Sequence, residues 1–279
     1  MKFIIEPGTS ADIDELEKLY DELNDYLAAT TNYPGWIKGV YPVREDAVAG
    51  VNDETLYVAR YDGRIVGSVI LNHQPEKAYE NVKWKIELDY SHIFVIHTFI
   101  VHPSFLKIEL GTSADIDELE RLYDELNDYL ATTVNYPGWI KGIYPVREDA
   151  VSGVNDNSLF VARCDGKIVG SVILNHQPEK AYENIKWKID VDYSHIFVVR
   201  TFVVHPSFLQ MGVGRALMDY SLELAQSSGI KSVRLDVYEK NLPAISLYEK
   251  CGFEYIDTVD LGLGHYGLEW FKLYEKIIL

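Results

Sequence analysis

The chain has 279 residues, 47% hydrophobic and 25% charged, with a formal net charge of −17. This composition suits a globular protein with ample core, and the acidic balance argues against a nucleic-acid surface, which needs a basic stripe to displace counterions. Two cysteines, Cys164 and Cys251, leave no disulfide framework and fit a reducing cytoplasm; no apolar run reaches spanning length and no signal peptide is evident, so no membrane association is expected.

Phe3-Ile4-Ile5 reads as a strand, and Thr9-Ser10-Ala11-Asp12 as a helix start with Thr9 as cap. Ile13, Leu16, Tyr20, Leu23 and Leu27 follow at helical spacing, and the acids between them read as a solvated face. Residues 8–106 then reappear at 111–209, shifted by 103 and differing at 16 of the 99 aligned positions. Such a period sets the architecture and is read before anything else. In the second copy Phe105-Leu106-Lys107-Ile108 is the opening strand, and Ile116, Leu119, Tyr123, Leu126 and Leu130 repeat the stripe. A loop with Pro137-Gly138-Trp139 and a short helix around 146–151 follow. Residues 158–164 and 167–174 form a hairpin through Asp165-Gly166, and Cys164, which is Tyr61 in the first copy, reads as a packing residue. After a Lys- and Glu-rich connection, the apolar run 194–204 reads as a central strand buried on both faces, ended by His205-Pro206.

Residues 210–279 have no counterpart in the first copy. A Gly-rich turn opens a helix over 213–226 with Ala216, Leu217, Tyr220 and Leu224 on its apolar stripe. Val233, Leu235 and Val237 alternate as a strand, and a helix from about 243 to 250 stops at Gly252. Residues 253–259 and 269–277 close the unit as strands. The order is β-α-α-β-β-β-α-β-α-β-β, a mixed-sheet α/β (α+β) plan. Two domains follow: 1–106, a duplicated half, and 107–279, the complete unit. The first copy has Glu109 where the second has Gly212, and its strand 91–101 lacks the neighbour that the tail supplies, leaving an apolar edge to be covered by the second copy or by another chain. A homodimer through that half is one outcome. The two halves compete for one tail, and the shorter loop favours the second copy by about 2–4 kcal/mol.

Gly212-Val213-Gly214 follows a strand and opens a helix, an arrangement that lets backbone amides approach a phosphate. A P-loop is ruled out by the missing Gly-Lys-Ser/Thr. A dinucleotide fingerprint finds Asp236 at a suitable distance, but Leu217 stands at the third glycine position, and Pro206 plus five residues separate strand from glycine. A third pattern is longer. Val204-His205-Pro206 with Leu209-Gln210-Met211-Gly212-Val213-Gly214 is similar to the acyl-CoA signature of the Gcn5-related N-acetyltransferase (GNAT) family, and Asn241-Leu242-Pro243-Ala244 through Leu247-Tyr248 to Gly252-Phe253 resembles its second signature. Leu209 departs from the pattern, standing where Gln or Arg is usual, with Gln210 one residue later.

The resemblance, which spans about 107–279, implies a GNAT-like fold preceded by an extra half-domain, and acetyl transfer from acetyl-CoA to a primary amine of a small molecule or peptide, without a metal. It implies backbone hydrogen bonds from Val203 and Val204 to the pantetheine arm. A pyrophosphate cradle would run from Leu209 through Gln210, Met211, Gly212, Val213 and Gly214 to Arg215, and Asn241 and Ala244 would contact the cosubstrate from the opposite wall. Tyr248 would protonate the leaving thiolate. A lysine-like amine with pKa about 10.4 calls for a base or a water chain, and Asp236, Glu239, His205 and His195 are the candidates. Arg200, mid-strand where the first copy has His97, could touch substrate or pair with an acid. The loop from Tyr136 to Tyr144-Pro145 could wall the acceptor site or plug the core. The alternative function is a non-catalytic acyl-CoA-binding or interaction protein whose site the extra half disturbs or regulates.

Overall fold

A computed structural model describes residues 3–29, 32–79, 82–86, 88–102 and 105–278. The chain divides into two compact units, 1–105 and 106–279. The first contains β1 (Phe3–Pro7), α1 (Ile13–Ala29), α2 (Arg44–Asn52), β2 (Leu56–Tyr61), β3 (Arg64–Asn72) and β4 (Val95–Val101). Its antiparallel sheet has the order β1-β2-β3-β4. Leu16, Leu19 and Tyr20 of α1 and Ala47 of α2 are buried with Val58, Ile65 and Ile100 on one face of that sheet.

The second unit repeats this plan with β5 (Lys107–Leu110), α3 (Ile116–Thr132), α4 (Arg147–Asn155), β6 (Leu159–Cys164), β7 (Lys167–Asn175) and β8 (Ile196–Val204). It continues through α5 (Val213–Ser227), β9 (Ser232–Tyr238), α6 (Leu242–Lys250), β10 (Glu254–Val259) and β11 (Phe271–Ile277). The sheet order is β10-β11-β9-β8-β7-β6-β5, antiparallel except for β8–β9. The element order and the central, buried β8 agree with the sequence reading. α3 and α4 cover one face. On the other, α5 lies across β7 and β6: a Cβ on Gly170 would sit 3.0 Å from Leu217 and 3.1 Å from Val213, and Tyr220 meets Phe160 at 5.5 Å between ring centroids. Only the second copy holds the tail in its sheet, through β9. Among the described residues, no helix is long and apolar enough to cross a membrane.

Two local expectations need correction. The acids at the start of the first helix of each copy are not all solvated. Asp115 caps the helix start as expected, its carboxylate accepting the Thr112 N–H (2.8 Å) and hydroxyl (3.0 Å), and it is in addition buried and paired with Arg163 of β6. Glu118 accepts the Ile168 N–H at 2.8 Å. These carboxylates tie helix to sheet, and Asp12 and Glu15 do the same in the first copy. The central strand begins at Ile196 and not at residue 194, because the Asp192 side chain accepts the Ser194 N–H (2.8 Å) and bends the chain into a short 3-10 turn.

A buried ion pair joins the antiparallel strands β9 and β11. Arg234 of β9 and Glu275 of β11 are both almost fully buried, with Nε 2.9 Å from Oε1. Glu275 also accepts from the Ser232 hydroxyl (2.7 Å) and the Lys188 N–H (2.6 Å). Arg234 donates to the Ile189 carbonyl (2.7 Å) and the Tyr193 hydroxyl (3.1 Å) and lies 4.2 Å from the centre of the Trp187 ring. The 180–195 connection is thereby fastened to β9 and β11. Removing one partner leaves the other charge buried and unpaired. We expect Glu275→Ala to destabilise the second unit by about 3–5 kcal/mol in urea unfolding. The double variant Arg234→Met/Glu275→Leu should recover much of that loss.

Candidate active site

β8 and β9 pair only over Ile196–Val198 and Ser232–Arg234. Beyond these residues β8 stays paired with β7 as far as Val204, and β9 with β11 as far as Tyr238, but the two strands no longer pair with each other. The sheet therefore opens into a cleft at their C-terminal ends, and the β9-facing backbone of β8 from Val199 to Val204, including Val203 and Val204, has no ladder partner there. A bulge lies on the β8 wall: the β7–β8 register shifts between Ser171 and Ile173, and Thr201 has φ +44°. A β-branched residue in the left-handed region is strained. The Tyr144 hydroxyl holds it there, 2.8 Å from Thr201 Oγ1 and accepting the Thr201 N–H at 3.1 Å.

After β8 the chain makes a short 3-10 turn over Pro206–Phe208 and reaches α5 through Gln210 and Gly212, both left-handed at φ +63° and +84°. The first intrahelical bond of α5 runs from the Ala216 N–H to the Gly212 carbonyl (2.9 Å), so the amides of Val213, Gly214 and Arg215 precede the ladder and face outward from the helix start. Met211 N–H is already used, bonded to the Phe208 carbonyl at 3.3 Å. Gly214 is needed for closeness: a Cβ there would lie 3.3 Å from Leu247 and 3.6 Å from Phe202 and Val204. This brings the start of α5 against both β8 and α6. Leu209 is exposed, and Arg215 is exposed with its Nε shared between the two Asp219 carboxylate oxygens (2.8 and 2.7 Å), an attachment that raises its pKa.

On the opposite wall, Asn241 Oδ1 accepts the Ala244 N–H (3.4 Å) and caps α6. The half-buried Ala244 lies in the first turn, and Tyr248 is buried one turn further on, its ring against Phe202 and Phe253 with centroids 6.1 and 6.0 Å away. Its hydroxyl makes no hydrogen bond among the described residues. Burial, then the charge of Asp236, push its pKa well above that of an ordinary phenol. Asp236 on β9 accepts from the Tyr182 hydroxyl at 2.7 Å. Its carboxyl is held above the usual carboxylate range by burial, opposed by Arg200 and by that hydrogen bond. Arg200 of β8 pairs with Glu179 and donates to the Gln177 carbonyl (3.0 Å). Tyr144 is pushed up to about 12, first by burial. One cluster thus gathers Tyr144, Tyr182, Arg200, Thr201, Asp236 and Tyr248 between the strands.

Of the candidate bases, only Asp236 sits in this cluster. His205 uses both ring nitrogens structurally: Nδ1 accepts the Ser207 N–H (3.1 Å), which leaves Nε2 to donate to Glu125 (2.8 Å). His195 is exposed at the other end of β8, its Nδ1 3.1 Å from Ser194 Oγ. Glu239 lies past the end of β9, its N–H bonded to the Trp270 carbonyl at 3.0 Å. Sequence reasoning missed Tyr182 and the Thr201 bulge. Among the described residues, no group of three His, Cys, Asp or Glu side chains is placed to hold a metal ion.

Comparison with known proteins agrees with this geometry. A model of the acetyltransferase (GNAT) family matches residues 117–253. The N-alpha-acetyltransferase of Sulfurisphaera tokodaii is 30% identical over 155 residues, 55% of this chain and 83% of that protein. Its namesake in Sulfolobus acidocaldarius is 31% identical over 149 residues, 53% and 79% of the two chains. Several other curated relatives are covered over only 23% to 59% of their own length. A GNAT-family acetyltransferase structure from Streptococcus agalactiae shares the fold with a TM-score of 0.52, 20% identity, and coverage of 62% of this chain and 95% of that one.

The two glycines of the α5 turn differ in what they permit, and substitution separates them. Gly212→Ala meets open space, so only the left-handed backbone resists it, by about 1–2 kcal/mol. Gly214→Val has a favourable backbone but collides with β8 and α6. We expect it to lower the unfolding midpoint in urea more than Gly212→Ala does.

Proposed function

Because the chain belongs to the GNAT acetyltransferase family, we propose that residues 107–279 form a complete acetyltransferase domain that moves an acetyl group from acetyl-CoA to a primary amine of a small molecule or peptide. One observation carries this reading. The free first-turn amides of α5 lie at the end of a strand split that also encloses Tyr248 and Asp236. An anionic pyrophosphate is favoured at such a helix start, where amides and helix dipole both point at it. The opened β8 edge offers backbone partners, from Val199 through Val203 and Val204, for an extended amide-bearing arm. Leu209, Gln210, Met211, Gly212 and Val213 shape the turn, and Asn241 and Ala244 form the facing wall. Arg215, tied to Asp219, adds less positive charge than a free guanidinium would.

Acetyl-CoA supplies an activated acyl carbon and a thiolate leaving group. The chain's own residues handle the protons. A raised pKa makes Asp236 a stronger base than a solvent-exposed carboxylate, and it accepts the proton the ammonium must lose. Tyr182 orients that carboxylate. The amine nitrogen then forms a bond to the acyl carbon as the carbon–sulfur bond breaks; the departing sulfur takes the Tyr248 proton, and the second proton that the acylated nitrogen loses restores the Tyr248 phenol. Burial, with the nearby charge of Asp236, favours the protonated form of Tyr248, the form that can donate. Arg200 and Glu179 neutralise each other at the rim, leaving Asp236 as the charge that an incoming cation meets.

Thiol release from acetyl-CoA across a panel of amines tests the assignment. Tyr248→Phe should cut kcat by roughly 10²–10⁴-fold while acyl-CoA binding is retained. Binding without thiol release for any amine would favour the non-catalytic alternative. A base must be unprotonated, so kcat/KM should rise with pH through the Asp236 pKa and fall below it. The acid limb is expected above about 4, the ordinary carboxylate value, and Asp236→Asn should abolish it.

A further inference from the structure

The two copies provide a nearly matched pair of surfaces, one covered and one bare. In the second unit, Phe197 and Val199 of β8 are 9% and 5% exposed beneath the tail elements, and Phe202 and Val204 pack at the start of α5. Their counterparts in β4, Phe94, Ile96, Phe99 and Val101, are 66%, 64%, 66% and 53% exposed. The connection before the strand behaves likewise. Trp187 and Val191 pack with the tail residues Ile256, Val259 and Leu273, whereas Trp84 and Leu88 are about half exposed. Trp84 and Leu88 belong to the other face of the strand, since Trp187 packs with Ile196 and Val198. At roughly 150–200 Å² per large side chain, the four β4 residues alone expose on the order of 400 Å² per chain. That is about half of the roughly 800 Å² each partner contributes to a stable interface, the open strand edge supplying the rest.

Counting the parts identifies the occupant. Each chain carries two scaffolds and one tail, and the tail is held by the second scaffold through β9. Exchanging tails between two chains would still leave one bare scaffold per chain. Pairing the two bare faces with each other covers both and uses the same patch on each chain, the condition for a closed two-fold contact. Charge permits it: the segment from Val82 to Val101 carries Lys83 and Lys85 against Glu87 and Asp89, locally balanced in a chain of net charge −17. β4 is also an edge strand with one unpaired side, a second source of contact for a matching strand.

We propose that two copies of this chain associate through the bare apolar face and edge of β4 in their first units. This contact is independent of acetyl transfer. Analytical ultracentrifugation of the full chain, from sub-micromolar to high micromolar concentration, should show a reversible monomer–dimer equilibrium. Ile96→Lys combined with Phe99→Ser should weaken it at least about tenfold, as expected for loss of central apolar contacts. Ile96→Val, which installs the residue found at the matching position 199, should retain the dimer. Hydrogen exchange of the β4 amides should slow with increasing concentration in the unsubstituted chain, a readout that needs no variant. A monomer throughout the range, a dimer indifferent to both polar substitutions, or cross-links placing residues 232–278 of one chain on β4 of another would each overturn the proposal.

Discussion

Three residue pairs of parallel ladder join β8 to β9, and the Arg234–Glu275 pair lies at the end of that short seam. Everything on the cleft side depends on the seam holding while the strands beyond it separate. Two buried charges are costly to desolvate, and here nearly every polar atom of the pair has a partner from a different element: Ser232, the Lys188 amide, the Ile189 carbonyl and Tyr193. The pair therefore works as a positional lock. It fixes β9, the wall that carries Asp236, against β11 and against the connection that leads through Tyr193 into β8.

The electrostatics of the cleft run against the charge of the whole molecule. A chain of net charge −17 would repel a polyanion at long range, yet the α5 start presents backbone amides whose partial charges act over the first turn only. The acidic surroundings act in the opposite sense on the amine side, where a cation is drawn towards Asp236. In the proposed reaction, anion and cation binding are thus separated along one cleft, the first by helix geometry and the second by a partly enclosed carboxylate. Three tyrosines, Tyr144, Tyr182 and Tyr248, line the space between, and burial raises the pKa of each, so all three remain neutral donors.

The repeat, the glycine turn and the Asn241–Phe253 pattern were legible in the sequence because each depends on local chemistry: identity at a fixed offset, a left-handed backbone, a capped helix. Element order followed from the same signals. The Thr201 bulge was not legible, since its stabilising partner Tyr144 lies 57 residues away and threonine gives no local sign of positive φ. Tyr182 was hidden in a polar connection that reads as loop until β9 brings Asp236 to it. His205 looked available as a base because its residue type is common in that role; only the geometry reveals that both of its nitrogens are already bonded. Glu15 and Glu118 misled for a related reason, the strand amides they accept from lying 50 residues further along the chain.

The bulge occurs in both copies. Thr98 has φ +48° with its hydroxyl 2.6 Å from that of Tyr41, although among the described residues β4 is the edge strand of its sheet and pairs with β3 alone. The bulge is therefore a property of the first-half scaffold and not a response to what docks on it. A scaffold that opens its own strand separates two evolutionary problems. If the proposed roles hold, changes in the attached segment would alter which ligand is held without rebuilding the opening, and changes in the scaffold's tyrosines and at the Arg200 position would alter the acceptor without touching the glycine turn. Within one polypeptide, the His97 and Arg200 alternatives already sample the second kind of change.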